Sequence, residues 1–299
     1  MKFSILLCTY NSDLQSVKYT LDSVISQSLD EFEIIVCDDG SRDSHGSFYE
    51  EYFREQGFKN YSFSFLEQNR GTVRNMLSGA ALAKGRYIKP IGPGDALADP
   101  DVLKDMYSLM EQTGASLGYG PMKAFYMQDG AQVFKENVQV PVSGDLYSKG
   151  ATDDAKRRMI AYGDNISGSQ LFYEKDCFVR LLADASETVV YMEDIAQYQA
   201  LLEGQGFAYL PRPVVLYETS AGISTSGSSR FAKLLQKDRA QFLDALLKKY
   251  PEEKCIKTRK KMEQIDLSTS KRIVKLLKKA IADPKWLRFR SDASKYNYL

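Results

Sequence analysis

The chain contains a single histidine, His45, and this scarcity excludes whole classes of catalytic site. A Ser-His-Asp triad and most zinc centres need imidazole groups that one histidine in a loop or at a helix start does not supply. The four cysteines include no close Cys-x-x-Cys pair, so a cysteine metal site is not expected. These cysteines are Cys8, Cys37, Cys177 and Cys255.

Long apolar runs are also missing from the sequence. No segment approaches the roughly 20 apolar residues of a membrane-spanning helix. The apolar stretch from Phe3 to Cys8 is too short for a secretory signal. We therefore expect a cytoplasmic protein with reduced thiols, whose 299 residues form one large or two small domains.

Net charge is only +1, but the basic residues are concentrated at one end. Between Arg230 and Leu299 there are 20 Lys and Arg residues against 8 Asp and Glu residues. This asymmetry predicts that the C-terminal end meets an anionic surface. No nucleic-acid partner is expected.

Within that end, residues 271–290 combine a basic face with an apolar stripe. The stripe repeats at helical spacing through Ile273, Leu276, Leu277, Ala280 and Ile281. Trp286 and Phe289 follow, and both residue types suit the headgroup level of a bilayer. The pattern predicts an amphipathic helix on an anionic membrane surface, which would place the protein peripherally at the inner face of the cell membrane. The alternative is that the stripe packs on the rest of the protein.

Two apolar runs near the N-terminus, Leu6–Asn11 and Val36–Ser41, each end abruptly in small and polar residues. The residues between them have the apolar periodicity of a helix, with Ser12 as the expected N-cap. The pattern therefore predicts a β-α-β unit, in which the two strands are parallel. Ligands of such sheets bind beyond the carboxyl ends of the strands. Tyr10 and the pair Asp38-Asp39 fall there, and a ring beside two carboxylates suits a nucleoside.

The motifs Thr9-Tyr10-Asn11 and Asp38-Asp39-Gly40-Ser41 resemble the opening of the family 2 glycosyltransferases. The alternative is a generic doubly wound domain with turn-forming residues after its strands. The resemblance implies an α/β GT-A fold, Rossmann-like, with a mostly parallel sheet flanked by helices. It covers residues 1–217, with a donor half to about 120 and an acceptor half beyond, and leaves 218–299 as a helical basic extension.

The same resemblance implies an activity and donor-site residues. It implies that the protein transfers a sugar, with inversion, from a nucleotide sugar to a hydroxyl of a glycan or lipid-linked acceptor. The expected nucleotide is UDP, and the expected setting is bacterial polysaccharide synthesis. The implied donor-binding residues are Thr9, Tyr10, Asn11, Asp38, Asp39, Asn69, Gly71 and Arg74. The last three surround a predicted strand-to-helix turn, where free N–H groups suit a diphosphate. Arg74 is alternatively only a solvated helix residue.

A divalent cation, Mn²⁺ or Mg²⁺, is also implied, because the family usually carries an Asp-x-Asp type motif after the strand that Arg86–Ile91 resembles. This chain departs from the pattern with Gly92-Pro93-Gly94-Asp95, which leaves Asp95 as the single candidate ligand. A lone Asp in such a turn is alternatively a turn former or a helix cap.

Glu193 and Asp194 precede a predicted helix and resemble the family's acidic pair, in which Asp194 takes the position of the general base. The alternative is that both acids only complement the helix dipole. Three weaker expectations concern local structure. They are a strand over Gly168–Tyr173, an irregular connection over Gln128–Asp153 and a flexible segment over Ser220–Ser229.

Two other functions remain open from sequence. A sugar-1-phosphate nucleotidyltransferase shares the broad fold, but its first strand is generally followed by a Gly-rich basic loop, and this chain has Thr9-Tyr10-Asn11-Ser12 there. A degenerate transferase homologue without catalysis, acting as an assembly partner, is the non-enzymatic alternative.

Overall fold

The predicted β-α-β unit forms part of a seven-stranded sheet in the computed structural model, which describes residues 1–220, 229–269 and 271–297. Strands β1 (Phe3–Thr9) and β2 (Phe32–Asp38) pair in parallel, with Thr9 opposite Asp38 at their carboxyl ends. Both strands are almost wholly buried, as expected for apolar runs covered by helices on both faces. Helix α1 (Leu14–Ile25) connects them and buries Val17 and Leu21.

The remaining elements of the first half alternate between strand and helix. They are α2 (Gly46–Glu55), β3 (Tyr61–Phe65), α3 (Thr72–Ala80), β4 (Tyr87–Ile91), β5 (Ala96–Leu97), α4 (Val102–Thr113), β6 (Leu117–Tyr119), β7 (Met122–Gln128) and β8 (Ala131–Phe134). Short helical turns follow at Gly144–Lys149, α5 (Asp153–Lys156), Arg157–Ala161 and Gly168–Gln170.

The second half closes the sheet and adds the C-terminal helices. Its elements are β9 (Phe172–Glu174), α6 (Lys175–Ala185), a 3₁₀ turn at Glu193–Ile195, α7 (Ala196–Leu202), β10 (Phe207–Tyr209), β11 (Val215–Glu218), α8 (Ser229–Lys249), α9 (Lys254–Ser268), α10 (Arg272–Ala282) and α11 (Lys285–Ala293). The large sheet has the order β10-β6-β9-β4-β1-β2-β3, and β9 runs antiparallel to both neighbours. A smaller sheet has the order β5-β11-β7-β8.

Several local predictions were wrong. Asp13, and not Ser12, caps α1, because its side chain accepts a hydrogen bond from the N–H of Ser16 at 2.8 Å. Residues 168–170 form a 3₁₀ turn, so the strand predicted over Gly168–Tyr173 begins only at Phe172. The connection predicted over Gln128–Asp153 contains β8, which forms a hairpin with β7. Positions 221–228 of the segment predicted to be flexible lie outside the described residues.

The apolar core has two large clusters, and a third joins the C-terminal helices to the rest of the protein. In this third cluster Trp286 and Phe289 pack with Val142 and Met262. Each aromatic side chain is only 8% exposed, so their predicted position at a bilayer headgroup level was wrong. The remainder of the predicted stripe is divided: Leu276 packs against this cluster, whereas Ile273, Leu277 and Ile281 are exposed on α10. No described helix combines the length and apolarity that a membrane span requires.

Candidate active site

The carboxyl ends of β1 and β2 carry a hydrogen-bonded polar cluster. Asp38 accepts hydrogen bonds from Thr9 Oγ1 at 3.0 Å, from Ser41 N at 2.8 Å and from Ser41 Oγ at 2.6 Å. Asn11 adopts a positive φ of 47° and its N–H donates to Ser41 Oγ at 2.7 Å. The two predicted motifs are therefore locked together, and the ring of Tyr10 is left 51% exposed at the same edge.

Asp39 links this edge to the loop before α3. Its two carboxylate oxygens accept hydrogen bonds from the backbone N–H groups of Arg70 at 2.7 Å and Gly71 at 2.9 Å. Burial raises the pKa of Asp39, and the two N–H donors oppose that rise. The side chain predicted to contact the nucleoside therefore shapes the loop predicted to contact the diphosphate.

Gly71 is required at this position by both its conformation and its surroundings. Its φ is +85°, and a Cβ atom there would lie 2.3 Å from Val190 Cγ1 and 2.6 Å from Val190 O. The same carbonyl of Val190 accepts the N–H of Val73 in the first turn of α3 at 3.1 Å. Asn69 and Arg74 are exposed on either side of this contact. The predicted diphosphate turn therefore touches the segment that leads to the acid pair.

Glu193 and Asp194 lie in a 3₁₀ turn against Gly168. A Cβ atom on Gly168 would lie 2.5 Å from Glu193 Oε1 and 3.6 Å from Asp194 Cβ. Burial raises the pKa of Asp194, and the backbone N–H of Gly168 opposes that rise. Burial, and then the charge of Asp194, raise the pKa of Glu193. Perturbed carboxyl groups of this kind are typical of acid–base sites.

Lys89 is a site residue that the sequence analysis missed. It lies fully buried on β4, and its ammonium group donates to the carbonyl of Ser169 and, at 3.4 Å, to that of Leu171. These contacts fix the turn on which the acid pair rests. Burial lowers the pKa of Lys89 to about 7. A lysine in the middle of the apolar run Tyr87–Ile91 was the available signal, because unpaired buried lysines are rare.

Asp95 lies in the turn after β4, as predicted, but it is buried. Its Oδ1 accepts the backbone N–H of Glu218 at 3.0 Å, and burial raises its pKa to about 7. Within residues 1–220, 229–269 and 271–297, no three acidic, histidine or cysteine side chains form a cluster that could hold a metal ion. Mg²⁺ in phosphate-transfer sites keeps waters and uses one or two carboxylates plus substrate oxygens. The residues therefore fit a cation carried by a diphosphate and do not fit a resident metal centre.

Comparison with known proteins gives the family. The sequence model of the family described as "Glycosyl transferase family 2" matches residues 4–174, more than half of the chain. A poly-beta-1,6-N-acetyl-D-glucosamine synthase of Staphylococcus epidermidis is 35% identical over 98 residues, which are 33% of this chain and 23% of that protein. An uncharacterized glycosyltransferase of Mycoplasma pneumoniae, the MG060 homolog, is 30% identical over 118 residues, 39% of each chain. The chain thus spans between about a quarter and two-fifths of the length of these relatives.

Solved structures show the same fold. A crystal structure of S. aureus TarS 1-349 in complex with UDP-GlcNAc has a TM-score of 0.57 at 21% identity, over 81% of this chain and 67% of that one. The complex of the same protein with UDP has a TM-score of 0.56 at 19% identity, over 95% and 71%. The predicted fold, a mostly parallel sheet flanked by helices with a helical C-terminal region, is confirmed. The chain therefore belongs to glycosyl transferase family 2.

Proposed function

We propose that this protein is an inverting glycosyltransferase that moves a sugar from a UDP-sugar to a hydroxyl of a glycan or lipid-linked acceptor. The observation that carries the proposal is the position of the acid pair. Asp39 binds Gly71, Gly71 packs on Val190, and the chain from Val190 runs directly into Glu193 and Asp194. The proposed base is thereby tied to the predicted donor site. TarS, which shares the fold, has been crystallised with UDP-GlcNAc and with UDP.

In the proposed reaction, the acceptor hydroxyl attacks the anomeric carbon from the face opposite the diphosphate. Asp194 accepts the hydroxyl proton as the new C–O bond forms, and the bond to the diphosphate breaks, so the anomeric configuration inverts. Tyr10 stacks on the base, while Thr9, Asn11 and Asp38 maintain the edge that receives the nucleoside. Asn69 and the guanidinium of Arg74 face the diphosphate at the start of α3, while Gly71, whose N–H donates to Asp39, gives the turn its shape.

A divalent cation, with Asp95 as its protein ligand, remains part of this proposal. When bound, the cation would stabilise the charge that develops on the departing diphosphate. Asp95 offers at most one carboxylate, and its Oδ1 already accepts the N–H of Glu218. We therefore expect the cation to bind with the donor and weakly without it.

A thermal-shift screen tests the donor assignment. UDP-, GDP-, TDP- and CMP-sugars are compared with and without Mn²⁺, because a ligand that binds the folded state raises its melting temperature. The proposal expects the largest shift with a UDP-sugar. Slow hydrolysis of that donor without acceptor, followed by NMR of the released sugar anomer, tests catalysis and inversion. A protein that binds the donor and never turns it over would be an assembly partner instead.

We also propose that α10 rests on an anionic membrane surface, which would bring the site to a lipid-linked acceptor. The side chains of Ile273, Leu277 and Ile281 are 72%, 59% and 80% exposed along one face. Lys271, Arg272 and Lys278 are exposed around them. Apolar residues beside basic ones are the composition of interfacial helices, and each basic residue near anionic lipid contributes about 1 kcal/mol.

Flotation with vesicles tests the membrane assignment. The full-length protein is compared with the triple variant I273Q/L277Q/I281Q on vesicles with and without phosphatidylserine. We expect binding by the parent protein to anionic vesicles and a clear loss in the variant. Equal flotation of the two proteins would contradict the role of α10.

A further inference from the structure

The segment Val190–Met192, which leads into the acid pair, is held by a side chain from the C-terminal region. The buried carboxylate of Asp238 on α8 accepts three backbone hydrogen bonds on one oxygen, Oδ2. The donors are the N–H groups of Val190 at 3.0 Å, Tyr191 at 2.6 Å and Met192 at 3.1 Å. Successive N–H groups that converge in this way form a concavity for an anion. Here the protein's own carboxylate occupies it.

The same segment is bound from two other directions. On the donor side, Val190 O accepts the N–H of Val73 at 3.1 Å. On the acid side, Met192 O accepts the N–H of Ile195 at 3.2 Å, which closes the turn containing Glu193 and Asp194. The backbone position of Val190–Met192 therefore sets the distance between the diphosphate turn and the acid pair.

We propose that Asp238 is a positioning residue that places the base Asp194 relative to the donor through the backbone of Val190–Met192. This inference rests on the proposed function, because it assumes that Asp194 is the base. It gives the C-terminal helices a role in the chemistry that the family match, which ends at residue 174, does not cover. Charge-assisted hydrogen bonds are stronger than neutral ones, so a buried carboxylate holds this backbone more firmly than an amide would.

Electrostatics provides a second link between the two sites. The negative charge of Asp238 contributes to the raised pKa of Glu193. The other titratable groups that face Glu193 are Asp194, Cys8 on β1 and Tyr173 on β9. Loss of the Asp238 charge should therefore lower the pKa of Glu193 while the remaining groups stay in place.

The test uses full-length D238A and D238N with D244N as the matched control. Asp244 lies on the same helix, is exposed and pairs with Lys260. We expect D238A to lower kcat by about 10²-fold, the effect of a misplaced catalytic group, with an unchanged Kd for UDP. The side chain in D238N has nearly the same size and keeps one acceptor oxygen, so D238N should lose less kcat than D238A. D244N should match the parent protein in every measurement.

The outcomes separate this role from others. A kcat for D238A equal to that of the parent protein would overturn the inference, and so would a parallel loss of kcat and UDP affinity, which indicates general destabilisation. If D238A does not fold, D238N decides through its kcat and the hydrogen exchange of the three N–H groups. If D194N is active, the assignment of Asp194 as the base is wrong. If D194N is inactive but the Asp238 variants are fully active, only the positioning role of Asp238 is wrong.

Discussion

Replacing Asp194 by asparagine separates the proposed proton-accepting role of this side chain from its structural role. The amide has nearly the same size and keeps an oxygen for the backbone N–H of Gly168. It does not accept a proton at neutral pH. We therefore expect kcat to fall by about 10²–10⁴, the usual contribution of general-base catalysis, or about 3–5 kcal/mol of transition-state stabilisation.

The same variant should not be less stable than the parent protein. Burial raises the folded-state pKa of Asp194 above its unfolded value, so the folded protein holds this proton more tightly. The stability from the protonated carboxyl is fully present below the unfolded pKa and is lost as pH rises through the folded pKa. At neutral pH the ionised carboxylate of Asp194 lowers the free energy of unfolding, and Asp194→Asn removes this destabilising charge. We expect an unchanged or higher melting temperature at pH 7.

The assay is kcat with saturating donor and acceptor over a range of pH, together with UDP binding by calorimetry. In the parent protein kcat should fall about tenfold per pH unit on the acid side, because the base becomes protonated. The midpoint of this acid limb should lie at a pH above about 3.9, the ordinary pKa of Asp, because burial raises the pKa of Asp194. UDP affinity should be the same in D194N.

Glu193→Gln is the matched control. Burial and the charge of Asp194 raise the pKa of Glu193, which favours its protonated form, and glutamine resembles that form. E193Q should therefore keep a kcat near that of the parent protein at neutral pH. If D194N retains more than half of the parent turnover, the base is not Asp194. If E193Q loses as much as D194N, the two carboxyls act as one unit and the assignment to a single base is wrong.

Three further predictions concern the donor side. Asp39→Ala removes the acceptor of two N–H groups, so the melting temperature should fall, with a cost of about 1–3 kcal/mol for the buried N–H of Gly71. UDP affinity in calorimetry should also fall because the diphosphate turn is no longer held, and unchanged affinity would remove Asp39 from the donor site. Gly71→Ala should lower both the melting temperature and UDP affinity because its Cβ would clash with Val190, whereas Gly57→Ala, at a similar φ of +64° with no heavy atom within 4 Å, controls for backbone strain alone. Activity should require a divalent cation, and Asp95→Ala should raise the concentration needed; a rate unaffected by chelator would leave Asp95 as a turn residue only.

The parts of the fold that follow from local pattern were predictable from the sequence. Apolar runs that stop at Thr9 and Asp38 set the sheet edge, and the helical periodicity between them set α1. The boundaries were harder, because neighbouring polar residues compete for the same role. Ser12 and Asp13 are both good caps, and only the geometry of the first turn selects Asp13.

The site was predictable where it lies within one motif and not where it depends on tertiary contact. Asp39 was assigned to the nucleoside, yet its contact with Gly71 depends on how the loop before α3 folds back. Asp238 gave no sequence signal, because an acid inside a long helix usually faces solvent. Its three backbone donors come from a segment almost fifty residues earlier in the chain. The burial of Trp286 and Phe289 likewise depends on Val142, far away in sequence.

Charge at the candidate site supports the proposal that a divalent cation would bind together with the donor. Four acids of the candidate site, Asp39, Asp95, Glu193 and Asp194, are buried or partly buried. The buried cation on the same sheet, Lys89, donates to backbone carbonyls, and burial lowers its pKa to about 7. A bare diphosphate entering such a cleft would be repelled by every ionised carboxylate. Bound cations are often the largest local charges in a phosphate site, and a diphosphate that brings its own would meet carboxylates that attract it.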